Sequence, residues 1–442
     1  MTRRALLASM SLGGVLRGES PTAWPAFRGP GARGVSGDDA RLPESWSSEE
    51  RILWRTTVPG RGWSSPIVWG NRAFVTTAVS GEPLDPVKKG FFGSAQTAPV
   101  SGVHRWEAYA LDFGSGKISW RSELHAGAPE TPRHPKNSYA SETPATDGEH
   151  IYVHFGHLGT YCLDWNGKLV WSKRWPPHAV VAGLGTGTSP ALYRDRLYIA
   201  NDNLEGSSLT ALDKSTGEEI WRVERDEIGG WATPYVWQNE QRTAIVVSGS
   251  NRMRSYDLDG GLLWEFRTTE ENAIPTPFSA HGLLYSASAF GPVYVFRPGA
   301  EGDVSLAEGE TSNEAIVWSL PKAGPYNTSP LVYGDFYYTL LDRGFLTCHE
   351  AQTGREVYGK QRIDREAGAF TASPWAYNGK IFCLSEDGRT FVVEAGPDFK
   401  VLRSNPLGEL AMATPAIAQG SLLLRTELGL YRIGSEQREG GL

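Results

Sequence analysis

The stretch "ALDKSTGEEIWR" (211–222) decides how the rest of this chain is read. It holds an Asp, a polar turn ending on Gly217, where a positive φ costs glycine little, and a short run that reaches Trp221. Nearly the same pattern stands at "ALDFGSGKISWR" (110–121), "CLDWNGKLVWS" (162–172), "YDLDGGLLWEF" (256–266) and "CHEAQTGREVYG" (348–359). Repetition of this kind takes precedence over local propensity, because the repeat unit sets the architecture.

A second marker recurs with it. A Ser or Thr followed by Pro opens each unit, at Pro66, Pro144, Pro190, Pro234, Pro277, Pro330, Pro374 and Pro415. Most of these prolines lie 41 to 53 residues apart, the length of a propeller blade. In the third unit, "SPALYRDRLYIAND" gives two alternating runs joined by a hairpin, "SSLTALD" a third strand, and "EEIWRVE" a fourth. The prediction is all-β: an eight-bladed β-propeller of four-stranded antiparallel blades. The last unit lacks its Trp strand, whereas "ERILWRTTVPG" (50–60) is a fourth-strand sequence standing before the first blade. The N-terminal strand therefore closes the eighth blade and removes two sheet edges.

Trp54, Trp120, Trp171, Trp221, Trp264 and Trp318 fall in the outermost strands, where a large ring covers the neighbouring blade. In blades six and seven, Tyr358 and Leu402 take that place. An acidic, Gly-rich insert at 297–315 reads as a flexible loop.

The bulk numbers agree with a soluble repeat protein. Of 442 residues, 51 are Gly and 28 Pro, which punctuate short elements, and 16 are Trp. A net charge of -7 without a basic stretch argues against a nucleic-acid surface. No apolar run is long enough for a transmembrane helix. Residues 1–23 read as an export signal or a disordered tail; "TRRALL" resembles a twin-arginine signal, which places the protein in the periplasm or outside the cell. A lead-in segment (24–49), the propeller (50–434) as a single domain, and a tail (435–442) follow.

The small residue, Leu, Asp, Gly turn and Trp of these units resemble the repeat of the pyrroloquinoline-quinone-like (PQQ-like) propellers, over roughly residues 50 to 434. That resemblance implies one of two kinds of protein. Quinoprotein dehydrogenases hold PQQ and Ca²⁺ in the central channel, with a disulfide between adjacent cysteines against the quinone. Non-catalytic members include an envelope lipoprotein that helps assemble outer-membrane proteins. "WPAFRGPGARGVS" (24–36) is similar to the lead-in of envelope and secreted repeat proteins.

The residues favour the second kind. Cys162, Cys348 and Cys383 are not neighbours and align with small or apolar strand positions in other blades, so no disulfide is expected. Asp202, Asp342, Glu386 and Asp387 lie near strand ends, but nothing in their spacing makes them converge as Ca²⁺ ligands. His154 and His157 flank a turn with no third ligand nearby. No catalytic residue, metal or cofactor is expected; PQQ and Ca²⁺ belong only to the dehydrogenase alternative. The site expectation rests on topology, since long loops at 79–102 and 125–142 share one face of the ring. Around its channel mouth, the residues ahead of the inner strands should meet. They are Arg61 and Trp63; Lys136, Asn137 and Tyr139; Thr186 and Thr188; Trp231; Tyr326 and Asn327; and Phe370 and Thr371. Such a mixture suits a small anionic or sugar-like ligand or a peptide. The expected protein is an exported monomeric scaffold with a protein or peptide partner in the cell envelope.

Overall fold

The computed structural model describes residues 21–90, 102–268 and 272–435. Eight antiparallel sheets stand around one axis. Blade three shows the unit: Ala191–Tyr193 innermost, then Arg196–Asn201, Ser207–Asp213 and Glu219–Arg225. Its two middle strands are buried almost continuously, because neighbouring blades cover both faces, while the outer strand alternates with solvent. Each marker proline stands at the entrance to an inner strand, where a missing N–H costs no ladder bond.

Ring closure falls where the sequence places it. Ile52–Thr57 pairs antiparallel with Gly429–Gly434 and completes the last blade as its outer strand. Ala23–Trp24 adds a further short strand to the inner edge of blade one.

The recurring turn has one construction. In blade three, Asp213 Oδ1 accepts the N–H groups of Ser215 and Thr216 at 2.8 and 3.0 Å, and Gly217 N–H returns to Asp213 O at 2.8 Å. Gly217 has φ +76, and a Cβ there would lie 2.4 Å from the Trp171 ring of the preceding blade. Both the left-handed backbone and the flat contact require glycine. The same indole donates to Lys214 O at 2.9 Å. Trp54 repeats the arrangement with Phe113 O, Trp120 with Trp165 O, Trp221 with Leu258 O and Trp318 with Ala351 O, at 2.9 to 3.1 Å. A bulge one residue before each Trp turns the ring onto the next blade, as between Glu219 and Trp221.

Two local expectations are corrected. Leu402 does not take the Trp position of blade seven; it falls in the bulge, and Arg403 pairs with Val392 instead. The 297–315 insert is not a loose loop. Its Gly302–Asp303 segment pairs parallel with the outer strand of blade four, Leu262–Arg267, while Ala300, Val304 and Ala315 are buried with Trp264 and Phe266. Trp264 stacks on Phe296, with centroids 5.2 Å apart, so apolar burial ties the insert down despite its polar composition. Cys162, Cys348 and Cys383 are free and buried.

If the indole contact carries blade docking, Trp221→Ala should lower stability by about 3 to 5 kcal/mol. Trp221→Phe, which keeps a ring and loses the bond to Leu258 O, should cost about 1 kcal/mol. Urea melts that rank the two equally would contradict this account.

Candidate functional site

Blade-to-blade connections lie on one face of the ring, and all eight contribute to a cavity on its axis. The cavity measures about 190 Å³. Eight of the residues expected at the mouth line it: Trp63, Lys136, Asn137, Thr186, Trp231, Tyr326, Asn327 and Thr371.

The other four are drawn elsewhere by their own partners. Arg61 donates to Asp85 O at 2.7 Å and lies 3.7 Å from Glu427; burial lowers its pKa. Tyr139 donates to Thr131 O at 2.9 Å and packs among His104, Trp106 and His157. Thr188 donates to Gly230 O, and Phe370 is fully buried against Phe391.

The prolines led the sequence reading past the residues directly before them. Ser65, Thr143, Ser189, Thr233, Thr276, Ser329, Ser373 and Thr414 all line the cavity. In six of the eight steps a hydroxyl accepts the backbone N–H of the equivalent residue one blade earlier. Ser65 donates to Thr143 at 3.0 Å, and Thr143 to Ser189 at 2.9 Å. Thr233 donates to Thr276 at 3.1 Å, and Thr276 to Ser329 at 3.0 Å. Ser329 donates to Ser373 at 2.8 Å, and Ser373 to Thr414 at 3.0 Å. The result is a ring of hydroxyls about the axis. Its sequence signal was the Ser or Thr of every Ser/Thr-Pro pair.

The lead-in segment forms the floor. Phe27 lines the cavity from below, and Arg28, fully buried, donates to Ser329 O and to Pro330 O, the latter at 2.7 Å. Burial without a carboxylate lowers the Arg28 pKa to about 9. Further contacts fasten the segment to several blades: Thr146 N–H to Pro25 O, Arg33 to Ser279 O, Ala376 N–H to Gly34 O, and Tyr333 to Asp38. One end of the channel is thereby closed.

Charges near the cavity are committed to protein partners. Lys136 and Glu386 form a buried ion pair at 2.5 Å, and Glu386 also accepts Thr371 Oγ1 and Gly90 N–H. Asp342 accepts the N–H groups of Tyr326 and Asn327, and burial raises its pKa despite them. Asp202 pairs with Arg225, and Asp387 with Arg389. Glu142, fully buried, accepts Thr186 Oγ1 at 2.6 Å and Gly156 N–H at 3.0 Å; burial is the main cause of its raised pKa. Burial lowers His154 and His157 to about 3, so both are neutral. Among the described residues, no group of three or more His, Cys, Asp or Glu side chains is gathered as metal ligands.

The lining is poorly matched in charge to PQQ. That cofactor is a flat three-ring tricarboxylate, whose carboxylates call for facing cations. Among the described residues, the one cation in the lining, Lys136, already faces Glu386. The acidic residues that would have to converge on Ca²⁺ are held apart by separate partners.

A family model described as "Outer membrane protein assembly factor BamB" matches residues 80–224 and 205–427. Outer membrane protein assembly factor BamB of Burkholderia pseudomallei (strain K96243) is 24% identical over 272 residues, which cover 56% of this chain and 66% of that protein. The crystal structure of BamB from Moraxella catarrhalis superposes with a TM-score of 0.53 at 12% identity, over 83% of this chain and 100% of that one. Quinohemoprotein alcohol dehydrogenase from Comamonas testosteroni gives 0.62 at 13% identity, over 95% and 82%. At these identities the solved structures share the fold alone.

Glu142 offers a test of the site's electrostatics. Its folded pKa lies above the unfolded value of about 4.3, so the native state holds the proton more tightly. The stability linked to that proton is full below about pH 4.3 and is lost as pH rises toward the folded pKa. Glu142→Gln cannot ionise. Urea melts should therefore show the variant gaining on the parent as pH rises above the unfolded value of about 4.3; a difference that stays flat with pH would contradict the assignment.

Proposed function

This chain belongs to the PQQ-like propeller family whose model is described as outer membrane protein assembly factor BamB, and on that premise we propose that it is a non-catalytic assembly scaffold of the cell envelope. Its partner is a protein or peptide that docks on the face carrying the cavity mouth. The observation that carries this reading is the commitment of the ionisable groups around the channel. Asp342 and Glu386 have both carboxylate oxygens engaged by donors of the protein, and Glu142 accepts Thr186 Oγ1 and Gly156 N–H on one oxygen.

The mouth face supports a macromolecular partner. Val103, Leu204, Ile228, Phe290 and Leu428 stand on its connections, from 37% to 59% exposed. Apolar side chains on loops held by a rigid ring are the usual material of a docking surface. Export to the envelope belongs to the same proposal; the signal-like residues 1–20 lie outside the described residues.

Cofactor chemistry is tested by a thermal melt with and without PQQ plus Ca²⁺, followed by dye-linked oxidation of simple alcohols and sugars. The expected result is no shift and no turnover. Saturation at 100 times Kd would stabilise the fold by about 2.7 kcal/mol, and a shift of that size with turnover would make this a dehydrogenase. Docking is tested by placing a photo-crosslinking residue at Leu204 or Leu428 in cells. A discrete envelope protein should be captured there and not from Ile118 or Leu169, exposed at the opposite ends of the blades. Equal capture from both rims, or none from either, would go against the scaffold.

A further inference from the structure

We propose that the axial cavity binds a neutral saccharide, taking one terminal pyranose ring end-on with the rest of the sugar in the mouth. The inference goes beyond the scaffold reading and does not rest on it. Four observations converge on this ligand.

The first is the hydroxyl ring. Its eight side chains are each at least nine-tenths buried, and among the described residues none donates its hydroxyl proton to another protein group. A Ser or Thr hydroxyl has one proton and two lone pairs. In six of them one lone pair already takes the N–H of the preceding blade, as at Thr276 and Ser329. Each of these therefore offers the axis one donor and one acceptor. That valence matches ligand hydroxyls, which also donate and accept. An anion, which only accepts, would leave half of it unused.

The second is the aromatic wall. Trp63 N–H is fixed on Lys136 O at 3.0 Å and Trp231 N–H on Gly185 O at 2.8 Å, so both rings are held from their edges while the side chains line the cavity. Tyr326 is stacked on Phe290 at 4.6 Å. Rigid aromatic faces beside hydroxyls meet the two surfaces of a pyranose, its C–H face and its O–H rim.

Charge and size supply the remaining two. Lys136 is neutralised by Glu386, and Arg28 is spent on backbone carbonyls behind Phe27, so no free cation faces the axis among the lining residues. At about 190 Å³ the space suits a single ring. Phe27 lines the cavity from the lead-in segment, so the ligand is taken from the mouth.

The test is titration calorimetry of the full chain with maltose, cellobiose and N,N′-diacetylchitobiose, in dilute and in concentrated salt. Inorganic phosphate and citrate serve as anionic probes. At least one disaccharide should bind saturably, with an affinity unchanged by salt, because no ion pair is formed. Trp231→Ala should weaken binding about tenfold or more, a loss of about 1.4 kcal/mol. Ile274→Trp, which fills the cavity from its wall without removing a hydrogen bond, should abolish binding. Melting curves matching the parent would show that both variants fold. Silence from all three sugars, full affinity in Ile274→Trp, or salt-sensitive binding of phosphate or citrate instead would overturn the proposal. Crosslinking from Leu428 that persists beside silent sugars would remove this site and leave the scaffold standing.

Discussion

Five of the eight blade junctions depend on one contact, an indole laid flat on the turn glycine of the next blade. The contact is exacting at both ends. A Cβ on Gly116, Gly167, Gly217 or Gly354 would fall 2.4 to 2.7 Å from the Trp ring of the blade before. The indole N–H then finds a backbone carbonyl in the same turn, so a polar edge is satisfied where an apolar face is buried. Because the acceptor belongs to a turn held by its own Asp, each blade presents a rigid surface for its neighbour. A mixture of local geometry and long-range packing thus repeats around the axis.

That coupling explains why the fold was legible. Glycine, Asp and Trp each leave a mark in sequence because each has few substitutes at its position. Blade count, strand order and the closing strand at Ile52–Thr57 follow from those marks. Where the marks fade, reading by spacing slips. Leu402 stands one residue short of the position because the turn of blade seven is one residue longer than that of blade three, which leaves Arg403 opposite Val392. The 297–315 insert was misread because composition records how many residues are polar. It does not record that Ala300, Val304 and Ala315 face blade four.

The site was legible only in part, for a related reason. Topology brings the connections to one mouth, and spacing finds the residues ahead of each inner strand. It says nothing about which of them satisfy themselves locally. Tyr139 and Phe370 are consumed by packing, and Arg61 by a carbonyl and a carboxylate. Conversely, Phe27 and Arg28 reach the axis from a segment distant in sequence from everything they touch, with no periodicity to announce it. The Ser/Thr ring lay in plain view, but as the companion of a proline its hydroxyl drew no notice.

Closure by the strand at 52–57 has a kinetic side. Its partner, Gly429–Gly434, is the last strand in chain order among the described residues, so the pairing spans nearly the entire ring. Loop-closure entropy makes such a contact a late one. Until the final strand is made, Ile52–Thr57 has no sheet to join, and the chain is an open arc with unpaired strand edges able to recruit foreign strands. Synthesis and folding must therefore be reconciled across the full length. The strand at 52–57 stays unpaired until Gly429–Gly434 reaches it.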